Sequence, residues 1–222
     1  MTTPIINFYK KLPKKYIENK NHNPHFNKHG IVLPAFICIS GRTGSGKTNS
    51  IMNFLSMASD TFDKVIICCK NFKSDPLYVY MKDKNKDLVE VYEDAVPSLD
   101  TLDPSMQYFV IIDDLVGDKK HEKNILEMFK RGRKFGKGVS CAFLTQDYFA
   151  TSSFIRKNMN YLFLFPSNTS VEMNNMYRNF PFMREHQDVI NKAIESKEKS
   201  DGQSPLSFLN INCIKNTVKL NF

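Results

Sequence analysis

The sequence predicts an α/β fold in which a mainly parallel sheet is covered by helices on both faces. Short apolar runs without helical spacing recur along the chain, and such runs predict buried strands. Amphipathic segments of helical length separate several of these runs, and this alternation favours parallel strands joined by helices. The 222 residues are 41% hydrophobic and 24% charged, which is typical of a globular protein with one sizeable domain.

The predicted elements follow one another from residue 31 onward. Strands are predicted at residues 36–40, 65–69, 88–92, 109–112, 139–144 and 161–165. Helices are predicted at residues 48–57, 76–81, 125–135 and 169–197. Two final apolar segments, residues 206–214 and 218–222, are split by the polar residues 215–217 and predict a terminal hairpin or edge strands.

The first 30 residues have a different composition from the rest. They are rich in Asn, Lys, His and Pro, and they hold six lysines against one acid, Glu18. Such a composition predicts an arm with little regular structure. We therefore divide the chain into a basic arm, residues 1–30, and a single domain, residues 31–222.

The formal net charge is +8, and the basic residues are concentrated in two places. Besides the arm, residues 119–138 hold eight Lys and Arg against Glu122 and Glu127. A basic surface suits a partner with many phosphates, above all nucleic acid. A solvated helix face would have the same composition.

Five cysteines lie in apolar runs, which predicts buried free thiols in a reducing compartment. No stretch approaches the roughly 18 apolar residues of a transmembrane helix. The first residues also lack an apolar core with a small-residue cleavage site, so no secretory signal is expected. We expect the protein in the cytosol, or in a cytoplasmic factory or particle.

One glycine-rich motif carries the clearest chemistry. It fits GxxxxGK[ST] and consists of Gly41, Arg42, Thr43, Gly44, Ser45, Gly46, Lys47 and Thr48. Glycines let backbone N–H groups approach phosphate oxygens, Lys47 is expected on the β and γ phosphates, and the Thr48 hydroxyl on Mg²⁺. A chance glycine-rich turn is the alternative. The predicted strand before the motif and the helix after it argue against chance and predict a P-loop that binds ATP and Mg²⁺.

Two adjacent acids end the predicted strand at residues 109–112. We assign Asp113 to Mg²⁺, usually held through water, and Asp114 to the attacking water, which it would orient or deprotonate. Two turn residues after a strand would give the same sequence. The presence of the P-loop favours the catalytic interpretation.

Three further residues are candidates for the γ-phosphate. Gln146 ends the strand at 139–144 and could sense this phosphate or hold the water, or it could be a turn residue. Arg131 and Arg133 lie in the basic helix and could reach the γ-phosphate of a neighbouring subunit. They could equally lie on a solvated or DNA-facing surface.

Taken together, the sequence resembles the poxvirus-type genome-packaging ATPases of large DNA viruses and their relatives, within the FtsK/HerA superfamily of DNA-pumping motors. The matching segments are residues 41–55, 108–115 and 129–146, and the resemblance covers about residues 31–166. The last segment discriminates best, because it combines an Arg-rich helix, a glycine, an apolar strand and then Gln146.

The resemblance implies an ASCE or RecA-like P-loop NTPase that forms a homo-oligomeric ring, a hexamer or a pentamer, and drives double-stranded DNA through its centre. It also implies a site shared between subunits, with an arginine finger from Arg131 or Arg133, and capsid or membrane proteins of a virion as partners. The location would be the cytoplasmic virus factory or the virion. Many relatives carry Glu where Asp114 stands. The shorter Asp side chain must lie closer to the water or act through a second one.

Two other functions stay open at this point. One is a P-loop nucleoside or nucleotide kinase, although no second substrate site is evident in the sequence. The other is a non-catalytic nucleotide-binding adaptor, in which bound ATP orders a surface for DNA or capsid. Gln146 at the end of a strand fits a hydrolase better than a kinase, and the intact Lys47, Thr48 and acidic pair argue against the adaptor.

Overall fold

The computed structural model describes residues 6–13, 21–115, 119–165, 170–198 and 207–222. Within these residues the chain forms one eight-stranded sheet in the order β3-β2-β4-β5-β1-β6-β7-β8. The strands are β1 (Phe36–Ser40), β2 (Lys64–Cys69), β3 (Val89–Glu93), β4 (Tyr108–Asp113), β5 (Val139–Thr145), β6 (Tyr161–Leu164), β7 (Leu209–Asn212) and β8 (Thr217–Leu220). Strands β1 to β6 are parallel to one another, whereas β7 pairs antiparallel with both β6 and β8.

Seven helices accompany the sheet in the described residues: α1 (Phe26–His29), α2 (Lys47–Met57), α3 (Pro76–Lys84), α4 (Lys119–Arg131), α5 (Ser153–Asn158), α6 (Ser170–Asn179) and α7 (Gln187–Glu198). Side chains of α2 and α3 pack on one face of the sheet, together with Ile37 and Ile111. Side chains of α4 to α7 pack on the other face, together with Cys38 and Val110. Adjacent residues of each central strand thus point into opposite cores, and burial on both faces explains why these strands are continuous apolar runs.

The predicted fold class is confirmed: the structure has a mainly parallel sheet between helices and a C-terminal antiparallel hairpin of β7 and β8. All strands predicted for the central sheet are present, with ends that differ by one residue at most. Four of the five cysteines are fully buried and Cys213 is half-buried, and all five are free thiols. None of the helices in the described residues is long and apolar enough to cross a membrane.

Two helix predictions need correction, and one short helix was not predicted. Helix α4 spans Lys119–Arg131 and not residues 125–135: its first turns expose their lysines and bury only His121, so they show no apolar stripe, and Gly132–Lys134 form a 3-10 turn. The helix predicted over 169–197 is broken by a 3-10 segment, Pro181–His186, since proline disrupts a continuing helix. Helix α5 (Ser153–Asn158) was missed, because its six residues are too few to show periodicity.

The segment before β1 is partly tied to the domain. The amide N–H of His22 donates to the side chain of Gln107, and Gln107 donates back to the carbonyl of His22. His29 is buried and packs edge-on against Phe54 of α2. Residues 21–30, which the composition assigns to the arm, therefore pack on the domain, while residues 1–5 and 14–20 lie outside the described part.

Candidate nucleotide-binding site

The carboxyl ends of four neighbouring parallel strands meet at one edge of the sheet. Cys69, at the end of β2, is paired with Asp113 at the end of β4, and Ser40 of β1 is paired with Thr145 of β5. Ligands of open α/β sheets bind outside this edge. The glycine-rich loop leaves β1 at the same edge, where the amide of Gly41 donates to the carbonyl of Thr145.

The loop has the backbone of a phosphate-binding turn. Gly44 and Gly46 have φ angles of +75° and +94°, which side chains rarely adopt, and Gly46 directly precedes helix α2. A Cβ at Gly41 would lie 2.5 Å from Ser45 Oγ and 2.7 Å from Phe165 Cβ. The sequence therefore needs glycine at these positions, and the α2 N–H groups are open toward an anion.

Lys47 lies folded over this loop. Its ammonium donates to the carbonyl oxygens of Gly41 and Arg42, at 2.8 and 3.1 Å. Burial lowers the pKa of Lys47, and the nearby carboxylates of Asp113 and Asp114 oppose this change. The ammonium is thus held where incoming phosphate oxygens can take the place of the two carbonyls.

Thr48, in the first turn of α2, contacts a carboxylate that sequence reasoning missed. Its hydroxyl donates to Asp75 Oδ2 at 3.0 Å. The other carboxylate oxygen, Asp75 Oδ1, accepts the N–H of Leu77 at 2.9 Å, so Asp75 is the N-cap of α3. Helix α3 therefore begins directly beside the P-loop.

Helix α3 makes a second contact with the site, through Tyr78 and Asp113. The buried phenol of Tyr78 donates to Asp113 Oδ2 at 2.9 Å. Burial raises the pKa of Asp113 to about 6, although the hydrogen bond from Tyr78 lowers it. Burial also raises the pKa of Tyr78 well above its ordinary value, and the Asp113 charge adds to this, so the phenol stays a donor.

Asp114 and Gln146 are exposed at the same edge. Asp114 has a φ of +54°, a conformation that is uncommon for residues other than glycine and that clusters at functional sites. Both residues line a cavity of about 650 Å³ together with Gly46, Lys47, Thr48, Asp75, Tyr78 and Asp113. The structure thus brings the P-loop, the acidic pair and Gln146 together around one cavity.

The donor set in this cavity fits Mg²⁺. The Thr48 hydroxyl and the Asp113 carboxylate are hard oxygen groups, the kind that Mg²⁺ prefers, and the cavity leaves room for phosphates and waters. Among the described residues there is no cluster of three or more His, Cys, Asp or Glu side chains close enough to hold an ion by themselves. Mg²⁺ in nucleotide sites is usually held by one or two protein groups together with substrate phosphates and waters.

A second cavity of about 240 Å³ lies on the other flank of the loop. It is lined by residues 41–45 together with Phe165 and Glu172. Because β6 lies on one side of β1 and β5 on the other, the two cavities flank the P-loop from opposite sides.

Arg131 and Arg133 are not brought to either cavity. Arg133 stacks on Phe36, the first residue of β1, whereas the P-loop follows the last residue of this strand. Since a strand rises about 3.3 Å per residue, the two ends of β1 are about 13 Å apart. Arg131 pairs with Glu127 and Asp100, and Arg133 donates to the carbonyl of Asn158. Neither arginine reaches the P-loop of its own chain in this arrangement.

Asp75 and Tyr78 are the site residues that the sequence analysis missed. A signal was present: Asp75-Pro76 is an N-cap followed by proline at the first helical position, directly after the loop that leaves β2. Recognising it as part of the site required knowing that β2 lies beside β4, which the sequence does not state.

The fold is shared with viral packaging enzymes. The genome packaging NTPase B204 of Sulfolobus turreted icosahedral virus 2, solved in complex with sulfate, superposes with a TM-score of 0.55 at 17% identity, over 85% of this chain and 97% of that one. The complex of the same NTPase with ATP-gammaS has a TM-score of 0.53 at 16% identity, over 86% of this chain and 98% of that one. B204, the DNA-packaging ATPase from Sulfolobus turreted icosahedral virus, has a TM-score of 0.55 at 15% identity, over 85% of this chain and 97% of that one. No curated protein matches the sequence.

One protein family matches most of the chain. Its description is Poxvirus A32 protein, and the match runs over residues 23–205 of the 222. This range includes the P-loop, the acidic pair, Gln146 and both arginines. The chain is therefore a P-loop ATPase that belongs to the poxvirus A32 protein family.

Proposed function

We propose that this protein hydrolyses ATP to move double-stranded DNA during viral genome packaging. The observation that carries the proposal is the convergence of Lys47, Thr48, Asp113, Asp114 and Gln146 on one cavity at the carboxyl edge of the sheet. The two B204 proteins that share the fold are named for genome packaging and DNA packaging, and one was solved with ATP-gammaS. These names support the same function for this chain.

The two cavities indicate how ATP is oriented across the P-loop. The γ-phosphate belongs beside Asp113, Asp114 and Gln146, because these residues offer the groups that phosphoryl transfer requires. The α- and β-phosphates then lie on the N–H groups of the loop and of α2. The nucleoside part of ATP then extends to the other flank of the loop, toward the cavity beside Phe165 and Glu172.

In the hydrolysis step, water attacks the γ-phosphorus and ADP leaves. Bound Mg²⁺ would neutralise charge on the β and γ oxygens, with Thr48 and Asp113 as its protein partners. Asp114 orients the water and accepts its proton, and the Gln146 amide holds the water or senses the γ-phosphate. Lys47 binds the β and γ oxygens after it leaves the carbonyls of Gly41 and Arg42.

The DNA contact is assigned to the basic residues of 119–138, with the N-terminal basic residues as a second contribution. Lys123 and Lys130 are exposed two turns apart on one face of α4, and Lys134 follows in a 3-10 turn. Several charges of this surface have partners within the chain: Lys120 pairs with Asp94, Lys137 pairs with Asp63, and the Lys130 ammonium lies over the ring of Phe154. A motor that accepts any sequence binds phosphates rather than base edges.

A ring of identical subunits completes the proposal. Arg131 and Arg133 lie near the edge of the sheet that is opposite the P-loop, so only a neighbouring subunit's γ-phosphate is available to them. In a hexamer or a pentamer, one of them would act in trans once it leaves its present partners. Such a ring would work in the cytoplasmic virus factory or in the virion, against capsid or membrane proteins of the particle.

A strand-displacement assay tests translocation. A third DNA strand is bound as a triplex on linear duplex DNA, and its release is followed with ATP, with a non-hydrolysable analogue, and with the Lys47→Ala variant. Release that requires both ATP and Lys47 is expected. No release by a protein that hydrolyses ATP and binds the duplex would contradict translocation.

A further inference from the structure

Two side chains of helix α3 contact the two residues assigned to Mg²⁺. Asp75 accepts the hydrogen bond of the Thr48 hydroxyl at 3.0 Å, and Tyr78 donates to Asp113 Oδ2 at 2.9 Å. Asp75 and Tyr78 are three residues apart, a spacing that places both on one side of a helical turn. Thr48 comes from α2 and Asp113 from β4, so α3 links two elements that are distant in sequence.

The direction of each hydrogen bond decides which lone pairs of Thr48 and Asp113 remain available to a metal ion. A hydroxyl has one proton and two lone pairs. Because the Thr48 proton is donated to Asp75, the lone pairs of Oγ1 are left to face the cavity. Similarly, the Tyr78 phenol occupies Asp113 Oδ2 and leaves Oδ1 for a water or an ion. Partners of this kind fix the orientation of metal ligands and tune their basicity.

Both carboxylate oxygens of Asp75 accept a hydrogen bond. Its Oδ1 is occupied by the Leu77 amide and its Oδ2 by Thr48, and the residue lines the cavity beside Lys47, Thr48 and Asp113. A residue that served only as the N-cap of α3 would need one acceptor oxygen, as Ser or Asn supplies. The second oxygen is directed at the P-loop, which points to a role beyond capping.

We propose that Asp75 and Tyr78 are positioning residues for the magnesium site: Asp75 orients the Thr48 hydroxyl and Tyr78 orients the Asp113 carboxylate. This inference rests on the proposed function, because it assumes that Thr48 and Asp113 hold Mg²⁺ with the nucleotide. Asp75 is therefore a third carboxylate of the site, one that acts through Thr48.

The Asp75→Asn variant separates this role from capping. Asparagine retains one acceptor oxygen for the Leu77 amide, so the cap and the helix are preserved. Its NH₂ group then faces Thr48 Oγ1 and donates to it, which reverses the hydrogen bond and occupies a lone pair. The Tyr78→Phe variant keeps the buried ring and removes only the hydroxyl. Asp75→Ser, which keeps a capping oxygen but is too short to reach Thr48, is the second variant if Asp75→Asn folds poorly.

The test measures the binding of a non-hydrolysable ATP analogue with Mg²⁺ and with EDTA, and the ratio of the two affinities. We expect this ratio to fall about 10-fold in Asp75→Asn and in Tyr78→Phe, the size of effect seen when partners of metal ligands are removed. Affinity in EDTA should not fall. Matched controls are Asp103→Asn, which changes an acid that accepts the Ser105 amide in a distant exposed turn, and Tyr80→Phe on the exposed side of α3.

The outcomes are distinct. An unchanged ratio in a folded variant removes that residue from the inference, and an equal fall with Mg²⁺ and with EDTA shows damage to the loop and overturns the positioning role. Electron paramagnetic resonance of Mn²⁺ with the same analogue gives a second readout, in which the two variants should bind the metal more weakly than the controls. If the wild-type protein gains no affinity from Mg²⁺, the proposed function itself fails.

Discussion

The ammonium of Lys47 lies 2.8 Å from the carbonyl oxygen of Gly41, to which it donates a hydrogen bond. The lysine of the P-loop is therefore bound to the first residue of its own loop. A triphosphate would replace neutral carbonyl acceptors with negatively charged oxygens, which attract the ammonium more strongly. Nucleotide binding thus exchanges weaker contacts of Lys47 for stronger ones.

Replacing Lys47 with Ala should abolish ATP hydrolysis and weaken ATP binding. The lost contact is a charge-assisted hydrogen bond of about 1.5–3 kcal/mol, which corresponds to roughly a 10- to 100-fold loss of affinity. Titration with a fluorescent ATP analogue and a phosphate-release assay measure both effects. Lys73→Ala is the control, because Lys73 is an exposed lysine in the loop before α3. Wild-type turnover by Lys47→Ala would refute the P-loop assignment.

The two acids should give different defects. Asp113→Asn should weaken Mg²⁺-dependent nucleotide binding, because it removes a half-buried charge whose partner is the Tyr78 phenol. Asp114→Asn should leave binding largely intact and slow hydrolysis about 10²- to 10⁴-fold, the usual contribution of a general base. Affinity and turnover are measured for both variants. The opposite pattern would exchange the two roles, and full activity of Asp114→Asn would exclude it from the mechanism.

DNA affinity should depend steeply on salt and little on sequence. Each phosphate contact that is neutralised contributes a slope of about −0.9 to the plot of log affinity against log salt. Changing Lys123, Lys130 and Lys134 to Ala should therefore reduce the slope by up to about 3. Lys192 and Lys219, exposed on α7 and β8, supply the control substitutions. Fluorescence anisotropy of short duplexes measures the slopes, and a strong preference for one duplex would contradict phosphate recognition.

The trans-acting role of Arg131 or Arg133 can be tested by mixing inactive subunits. Arg131→Ala or Arg133→Ala should bind ATP but not hydrolyse it, and addition of Lys47→Ala should partly restore phosphate release. The restoration is expected because the Lys47→Ala subunit still carries the arginine and can present it to an intact neighbouring P-loop. Each variant alone, at the total concentration of the mixture, is the control.

The result depends on which of two roles the arginines have. An arginine that contacts DNA would instead leave DNA-independent hydrolysis intact and lower DNA affinity on substitution. If mixed rings form and neither mixture regains activity, neither arginine acts in trans. To act in trans, Arg131 must first break its ion pairs with Glu127 and Asp100, and Arg133 must break its hydrogen bond to the carbonyl of Asn158.

The sequence predicts the parts of the site that lie within one strand–loop–helix unit. Gly41 to Thr48 and Asp113 follow buried strands directly, so local pattern is sufficient to place them at strand ends. Asp75 and Tyr78 depend instead on the pairing of β2 with β4 and on the path of the six residues between Cys69 and α3. That loop has no periodicity, and its position is set by tertiary packing.

The difference between local pattern and tertiary packing also explains where the predicted helix bounds are wrong. The apolar stripe of α4 begins at Ile125, but the helix extends to Lys119 because His121, one turn earlier, also packs against the domain. The apolar spacing over 169–197 is real, but Pro181 divides it into α6 and α7. Arg131 is the last residue of α4, whereas Arg133 lies in the 3-10 turn that follows and not in the predicted helix. Asp100 and Phe36, which contact Arg131 and Arg133, come from distant parts of the chain.

The rate of phosphate release from ATP, measured with and without double-stranded DNA, tests the central claim most directly. We predict turnover that requires Mg²⁺ and Lys47 and that rises on addition of duplex DNA of any sequence. Transfer of phosphate to an added nucleoside or nucleotide would instead indicate a kinase. Nucleotide binding without turnover, in the presence and absence of DNA, would indicate an adaptor and contradict the account.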